Sequence, residues 1–153
     1  MEIGGNTLDE RKPREVYYYD NQKDPYSLDV KRMDSFGGWI ATPTDLVKFL
    51  VRVDKFPQRP DILKPATLDT MFTAPEVYPG YGKGWDVNKY NDYWHNGSLR
   101  GEQSFVEITH DGFCWAIIVN TRTDGNFSTD LGRLMWKIKL AVKQWPGYDI
   151  FSN

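Results

Sequence analysis

From residue 42 onward the apolar positions of this chain fall into two alternating rhythms. Leu46, Phe49, Leu50 and Val53 are spaced i, i+3, i+4 and i+7, which predicts a helix with one apolar face. Its start is written in side chains. Thr42 can cap the free amides, Pro43 suits a first-turn position that needs no N–H, and Asp45 answers both the cap and the helix dipole. Pro57 lies beyond its end. A shorter helix is predicted over residues 65–72, burying Leu68, Met71 and Phe72 and stopping before Pro75. From residue 81 the period becomes two. Residues 82–87 and 93–96 read as strands flanking a turn at 88–92, and residues 104–109 pair with 113–120 across His110-Asp111-Gly112. The last of these is apolar on both faces, which predicts cover on both sides. The helical rhythm returns over residues 129–144. Leu131, Leu134, Met135, Ile138, Val142 and Trp145 form its expected core stripe, Asp130 favours its start, and Lys137, Lys139 and Lys143 favour its end before Pro146-Gly147. The fold class expected is α+β, an antiparallel β-meander with a long C-terminal helix packed on one face.

Residues 1–36 lack such rhythm. They form a polar, extended lead-in in which only residues 15–19 read as a strand, closed by Asp20-Asn21. So long a stretch without periodicity predicts a segment that wraps against something else, ahead of an α+β segment over residues 37–153. Gly37-Gly38, at the junction, predicts a tight turn or a close backbone approach. There is no internal repeat and no low-complexity tract.

Composition narrows the function classes. The 153 residues suffice for about one domain, and 40% hydrophobic with 26% charged residues at net charge −2 is a globular balance. Lys and Arg never form a basic block, which argues against a nucleic-acid partner. No apolar stretch approaches the ~20 residues of a membrane span, and the first residues carry no signal-peptide pattern. One cysteine excludes an internal disulfide and a Cys-rich zinc site, and Cys114, inside the apolar run 113–119, reads as an inert core thiol. The six Trp and nine Tyr could build a core or a stacking surface.

Candidate chemistry concentrates in Tyr93-Trp94-His95-Asn96-Gly97-Ser98, a polar and aromatic strand with a His-Asn-Gly tip. Four features stand in order: Gly37-Gly38 with Thr42 and Asp45-Leu46 at a helix start, Tyr81-Gly82-Lys83-Gly84-Trp85, His95-Asn96-Gly97, and the later Gly101 with two strands ending at Asn120. Over roughly residues 35–145 this order resembles the serine β-lactamase and penicillin-binding-protein-like hydrolases, especially the class C β-lactamase and esterase branch. The resemblance implies the C-terminal part of an incomplete β-lactamase-like fold. His95-Asn96-Gly97 would stand for the family's third motif. His95 would supply a hydrogen bond or charge, Asn96 would face substrate, Gly97 would keep the strand slim, and Ser98 would lend its backbone amide to an oxyanion hole. Neither a cofactor nor a metal is implied. His110, in the hairpin turn, reads as structural.

The rest of the family's apparatus is missing. No Ser or Thr is followed three residues later by Lys, so the Ser-x-x-Lys nucleophile is absent. Tyr19-Asp20-Asn21 has the letters of the family's Tyr-x-Asn motif but falls in the lead-in, without the helical region that would precede it. The expectation is therefore a segment of an acyl-transfer hydrolase, inactive alone, whose intact form acts on an amide, ester or peptidoglycan-like substrate. The resemblance suggests export, to the periplasm or cell surface. It also implies an open edge along residues 113–120 and uncovered apolar surface around Trp136 and Leu140, which together predict a homodimer through that edge or the terminal helix. The alternative function is a non-catalytic module that stacks a glycan or peptide on Trp39, Trp85, Trp94 and the nearby tyrosines.

Overall fold

Four antiparallel strands carry the structure, a computed structural model that describes residues 1–123, 125–148 and 151. In chain order the elements are β1 (Glu2–Ile3), β2 (Tyr19–Asp20), α1 (Val30–Met33), β3 (Trp39–Ile40), α2 (Pro43–Leu50), α3 (Pro65–Phe72), β4 (Asp86–Val87), β5 (Tyr93–Leu99), β6 (Glu102–Ile108), β7 (Cys114–Val119), β8 (Thr121–Arg122) and α4 (Phe127–Ala141). The main sheet has the order β4-β5-β6-β7, with His95 opposite Val106, Gly97 opposite Ser104 and Val106 opposite Ala116. This is the α+β meander with a C-terminal helix. β7 ends the row, and among the described residues its outer edge has no strand partner.

Side-chain alternation divides the sheet into two faces. On one face Ile108, Val106, Tyr93 and Cys114 pack against Leu50, Val53, Leu68 and Phe72 of the α2 and α3 region. α2 begins as its residues predict: Thr42 Oγ1 accepts from the Asp45 N–H at 3.1 Å while Asp45 accepts from the Thr42 N–H at 3.0 Å. Cys114 lies against this layer, its thiol donating to buried Asp54 at 3.4 Å, and burial pushes the thiol pKa up, as an inert core thiol requires.

The other face carries Gln103, Phe105 and Glu107, all buried under α4. Here the prediction needs correction. The helix spans Phe127–Ala141 rather than 129–144, and its packed side is Leu131, Gly132, Met135 and Trp136, while Leu134 and Ile138 are each 44% exposed. Two contacts set this rotation. Gly132 lets the Phe105 ring approach so closely that a Cβ there would stand 3.0 Å from Cζ. Trp136 reaches the Glu107 carboxylate at 3.2 Å. Trp136 is thus packed rather than uncovered; Leu140 is exposed. β7 is covered on both sides, by α2 on one and by the Trp136 ring against Trp115 on the other.

The lead-in wraps the end of the sheet that carries the β5–β6 turn. Its predicted strand over 15–19 shrinks to Tyr19–Asp20, which pairs in parallel with β8, while residues 15–18 are irregular. Tyr18 turns its hydroxyl to Glu15 at 2.9 Å, and the Tyr26 hydroxyl accepts the Tyr18 N–H at 3.3 Å, so local side chains hold this backbone in place of a ladder. Asp20 accepts from the Gly101 N–H at 3.2 Å, Asn120 Nδ2 donates to the Tyr17 carbonyl at 2.8 Å, and β1 pairs with β3. The strand predicted over 82–87 is likewise reduced to Asp86–Val87, because Gly82 and Lys83 give their backbone groups to Trp85 and Met71.

Candidate active site

β5 sets out the residues singled out from the sequence, and its period of two parts them. His95 and Gly97 share the face of Tyr93, which stacks on Phe72 at 4.1 Å between centroids; Asn96 and Ser98 lie on the opposite face, in register with Phe105 and Gln103. The apolar layer covers only the first part of that face, at Tyr93, Val106 and Ile108. Beyond it runs an open polar strip: exposed His95, then Gly97 across from Ser104, then Leu99 across from Glu102. β4 pairs only with Tyr93 and Trp94, so from His95 to Leu99 no described strand borders the outer edge of β5.

His95 is held by Tyr81, which the sequence offered as part of a motif and not as a site residue. The Tyr81 hydroxyl lies 3.1 Å from His95 Nε2, with the rings edge to face. Tyr81 is placed by the Tyr81-Gly82-Lys83-Gly84-Trp85 segment, which clamps onto the end of α3. Lys83 N–H donates to the Met71 carbonyl at 2.8 Å, a Cβ at Gly82 would stand 2.4 Å from that carbonyl, and Trp85 is buried edge to face on Phe72. The signal for Tyr81 was present in the motif, but its partner lies across the sheet and is set by strand pairing.

Gly97 also makes room within the sheet itself. A Cβ at this position would come within 2.5 Å of Ser104 Oγ, so the missing side chain makes room for a hydroxyl on the neighbouring strand. Ser104 in turn favours the ionised form of Glu102, whose pKa burial nonetheless raises. Asn96 and Ser98 are exposed on the α4 face, away from the His95 ring. A backbone amide is not confined to a face, so Ser98 can still offer its N–H at the strand edge.

The other polar clusters are structural. Asp92, buried, accepts from Asn88 Nδ2 at 2.8 Å and from the His110 N–H at 2.9 Å, with His110 Nδ1 at 2.7 Å. Burial opposes its charge, but these bonds outweigh that and hold its pKa below the ordinary value. His110 thus ties the β6–β7 turn to the loop ahead of β5. Tyr19-Asp20 is spent in joining the lead-in to β8. Among the described residues no group of three His, Cys, Asp or Glu side chains is arranged to hold a metal.

No curated protein and no solved structure matches this chain. The family model described as Beta-lactamase matches residues 2–138, which takes in the lead-in, the Tyr81–Trp85 segment and the whole sheet. With the match spanning most of its length, the chain belongs to the beta-lactamase family, a family of hydrolases.

Proposed function

We propose that this chain supplies one wall of a serine-hydrolase acyl-transfer site and that, without a Ser-x-x-Lys nucleophile, it does not turn over substrate by itself. The observation that carries this reading is the Tyr81–His95 pair beside Gly97 on the open part of the sheet face, next to an edge of β5 that no described strand occupies. An acyl group lying along that edge would meet backbone groups of His95 to Ser98, with the Ser98 amide in the oxyanion position. The Tyr81–His95 pair would pass or hold a proton at Nε2. Asn96 would meet substrate only from the far face or through its backbone. The substrate class is an amide, ester or peptidoglycan-like acyl compound.

The test is a resonance titration of the full chain with an N-acetylated D-alanyl-D-alanine peptide, joined to intact-mass measurement after a β-lactam or a fluorophosphonate. Saturable shifts at Tyr81, His95, Gly97 and Ser98 with no mass adduct are expected. Stoichiometric acylation of a serine, or shifts confined to other surfaces, would overturn the reading.

The same reading carries a proposal of self-association as a homodimer. The outer edge of β7 offers unpaired backbone with no charged residue along Cys114–Val119, and Leu134, Ile138 and Leu140 add exposed apolar surface on α4. The stacking-module alternative loses one of its three tryptophans, because Trp85 is only 5% exposed within the core.

A further inference from the structure

Past Leu99 the open strip of the sheet runs into a cleft of about 50 Å³ between the β5–β6 turn and the lead-in. Leu99, Arg100 and Glu102 line it from the sheet, and Tyr18, Tyr26 and Trp39 from the lead-in and β3. On the same measure a single water needs roughly 10–15 Å³, so the cleft has room for a small polar head group. Its aromatic wall is rigid. Tyr18 and Tyr26 meet edge to face at 5.9 Å, and each phenol oxygen is already engaged, Tyr18 with Glu15 and Tyr26 with the Tyr18 amide, which leaves the rings to act through their π systems.

The charge in this cleft is unbalanced. Glu102 stands half-buried in the cleft wall, where the Ser104 hydroxyl favours its ionised form, and among the described residues its carboxylate makes no ion pair. A carboxylate can accept about four hydrogen bonds. The nearest cation in sequence, Arg100, sends its guanidinium to the Ser27 hydroxyl instead. Glu15, the other acid at the rim, already accepts from the Lys12 N–H at 2.8 Å and from Tyr18. One carboxylate with spare acceptor capacity, facing aromatic rings in a space of this size, is the chemistry that selects a compact cation with several N–H donors.

We propose that this cleft binds a primary ammonium group, with Glu102 as its counter-ion and the Tyr18 and Tyr26 rings as its aromatic wall. The inference deepens the acyl-transfer reading by naming its substrate as one that carries a free amine. Leu99 lies two residues along β5 from Gly97, about 7 Å at strand rise, so one short substrate can place its amine in the cleft and its acyl group on the edge of β5.

The experiment is a resonance titration of the full chain with methylammonium chloride, run beside methanol and beside sodium chloride at equal ionic strength. Saturable shifts at Tyr18, Gly38, Leu99 and Glu102 are expected with methylammonium alone. Glu102→Gln should weaken them by more than about tenfold, the loss of one charge-assisted contact. In the unmodified chain, affinity should fall as acidification protonates Glu102, a readout that needs no variant. Equal shifts with methanol or sodium, undiminished binding by Glu102→Gln, or a pH-independent affinity would each overturn the proposal. The acetylated dipeptide used to test the acyl wall carries no ammonium group, so either titration can fail while the other stands.

Discussion

The Tyr81 hydroxyl meets His95 Nε2 at 3.1 Å across the boundary between a loop clamped to α3 and the open end of β5. Both side chains lie outside the apolar layer, so their pairing does little for the core. His95→Ala and Tyr81→Phe are expected to change unfolding free energy by no more than about 0.5 kcal/mol, as for other surface positions. Each should nevertheless weaken binding of the acetylated dipeptide. A large loss of stability in His95→Ala, measured by chemical denaturation, would assign the pair to the fold instead.

Gly97 and Ser104 form a second dependent pair. A methyl group at Gly97 would stand 2.5 Å from Ser104 Oγ, so Gly97→Ala is expected to cost about 1–3 kcal/mol as an overpacked site. Ser104→Ala removes the obstructing oxygen. In that background Gly97→Ala should cost far less, and a double-mutant cycle by denaturation reads the difference. Equal costs in both backgrounds would show that backbone conformation, and not the hydroxyl, demands glycine.

Glu107 accepts two indole N–H bonds, from Trp115 at 2.7 Å and from Trp136 at 3.2 Å, each on its own oxygen. A glutamine has one acceptor oxygen, so Glu107→Gln leaves an indole facing an amide N–H and should cost about 1–3 kcal/mol at neutral pH. The pH dependence has a definite sign. Burial raises the Glu107 pKa above its ordinary 4.5 in spite of the two indoles. Above pH 4.5 the native chain therefore holds this proton longer than the unfolded one, and the stability due to Glu107 falls as pH rises through the raised native value. Glu107→Gln should remove that decline. Denaturation at several pH values checks it against Asp92, whose lowered pKa contributes a loss of stability in the opposite direction, on acidification.

Self-association should be visible at micromolar concentrations by sedimentation. Ile117→Lys places a charge on β7 and is expected to shift the chain toward monomer if the strand edge is the contact. Leu134→Glu with Ile138→Glu does the same for α4, on side chains that the monomer leaves 44% exposed. A chain that is monomeric throughout this range would sink both routes.

The thiol offers a fifth check. Cys114 is held against Asp54 with its pKa raised by burial, so native-state alkylation near neutral pH should be slow and should quicken on unfolding. Rapid labelling of the folded chain would contradict the packing of α2 on β7.

Local signals were enough for α2, α3 and the β6–β7 hairpin. The Thr42–Asp45 capping box, Pro65 and the turn at 109–112 act within a few residues, and the helical and strand periods they bound are direct consequences of backbone geometry. The family, too, was legible from the order of its motifs. What tertiary structure decided was everything that depends on a partner distant in the chain. Tyr81 became His95's neighbour because the Gly82–Gly84 loop is anchored to Met71, and Gly97 answers Ser104 through strand register. The rotation of α4 followed Glu107 and Phe105 rather than its own apolar stripe, since two buried indole N–H groups must find acceptors while Leu134 and Ile138 can remain half in water at modest cost. Residues 15–18 lost their strand for the same reason: a β-pattern specifies which side chains alternate, but only a neighbouring edge can satisfy its backbone groups, and here the Tyr26 hydroxyl takes the Tyr18 amide and the Arg11 guanidinium the Glu15 carbonyl.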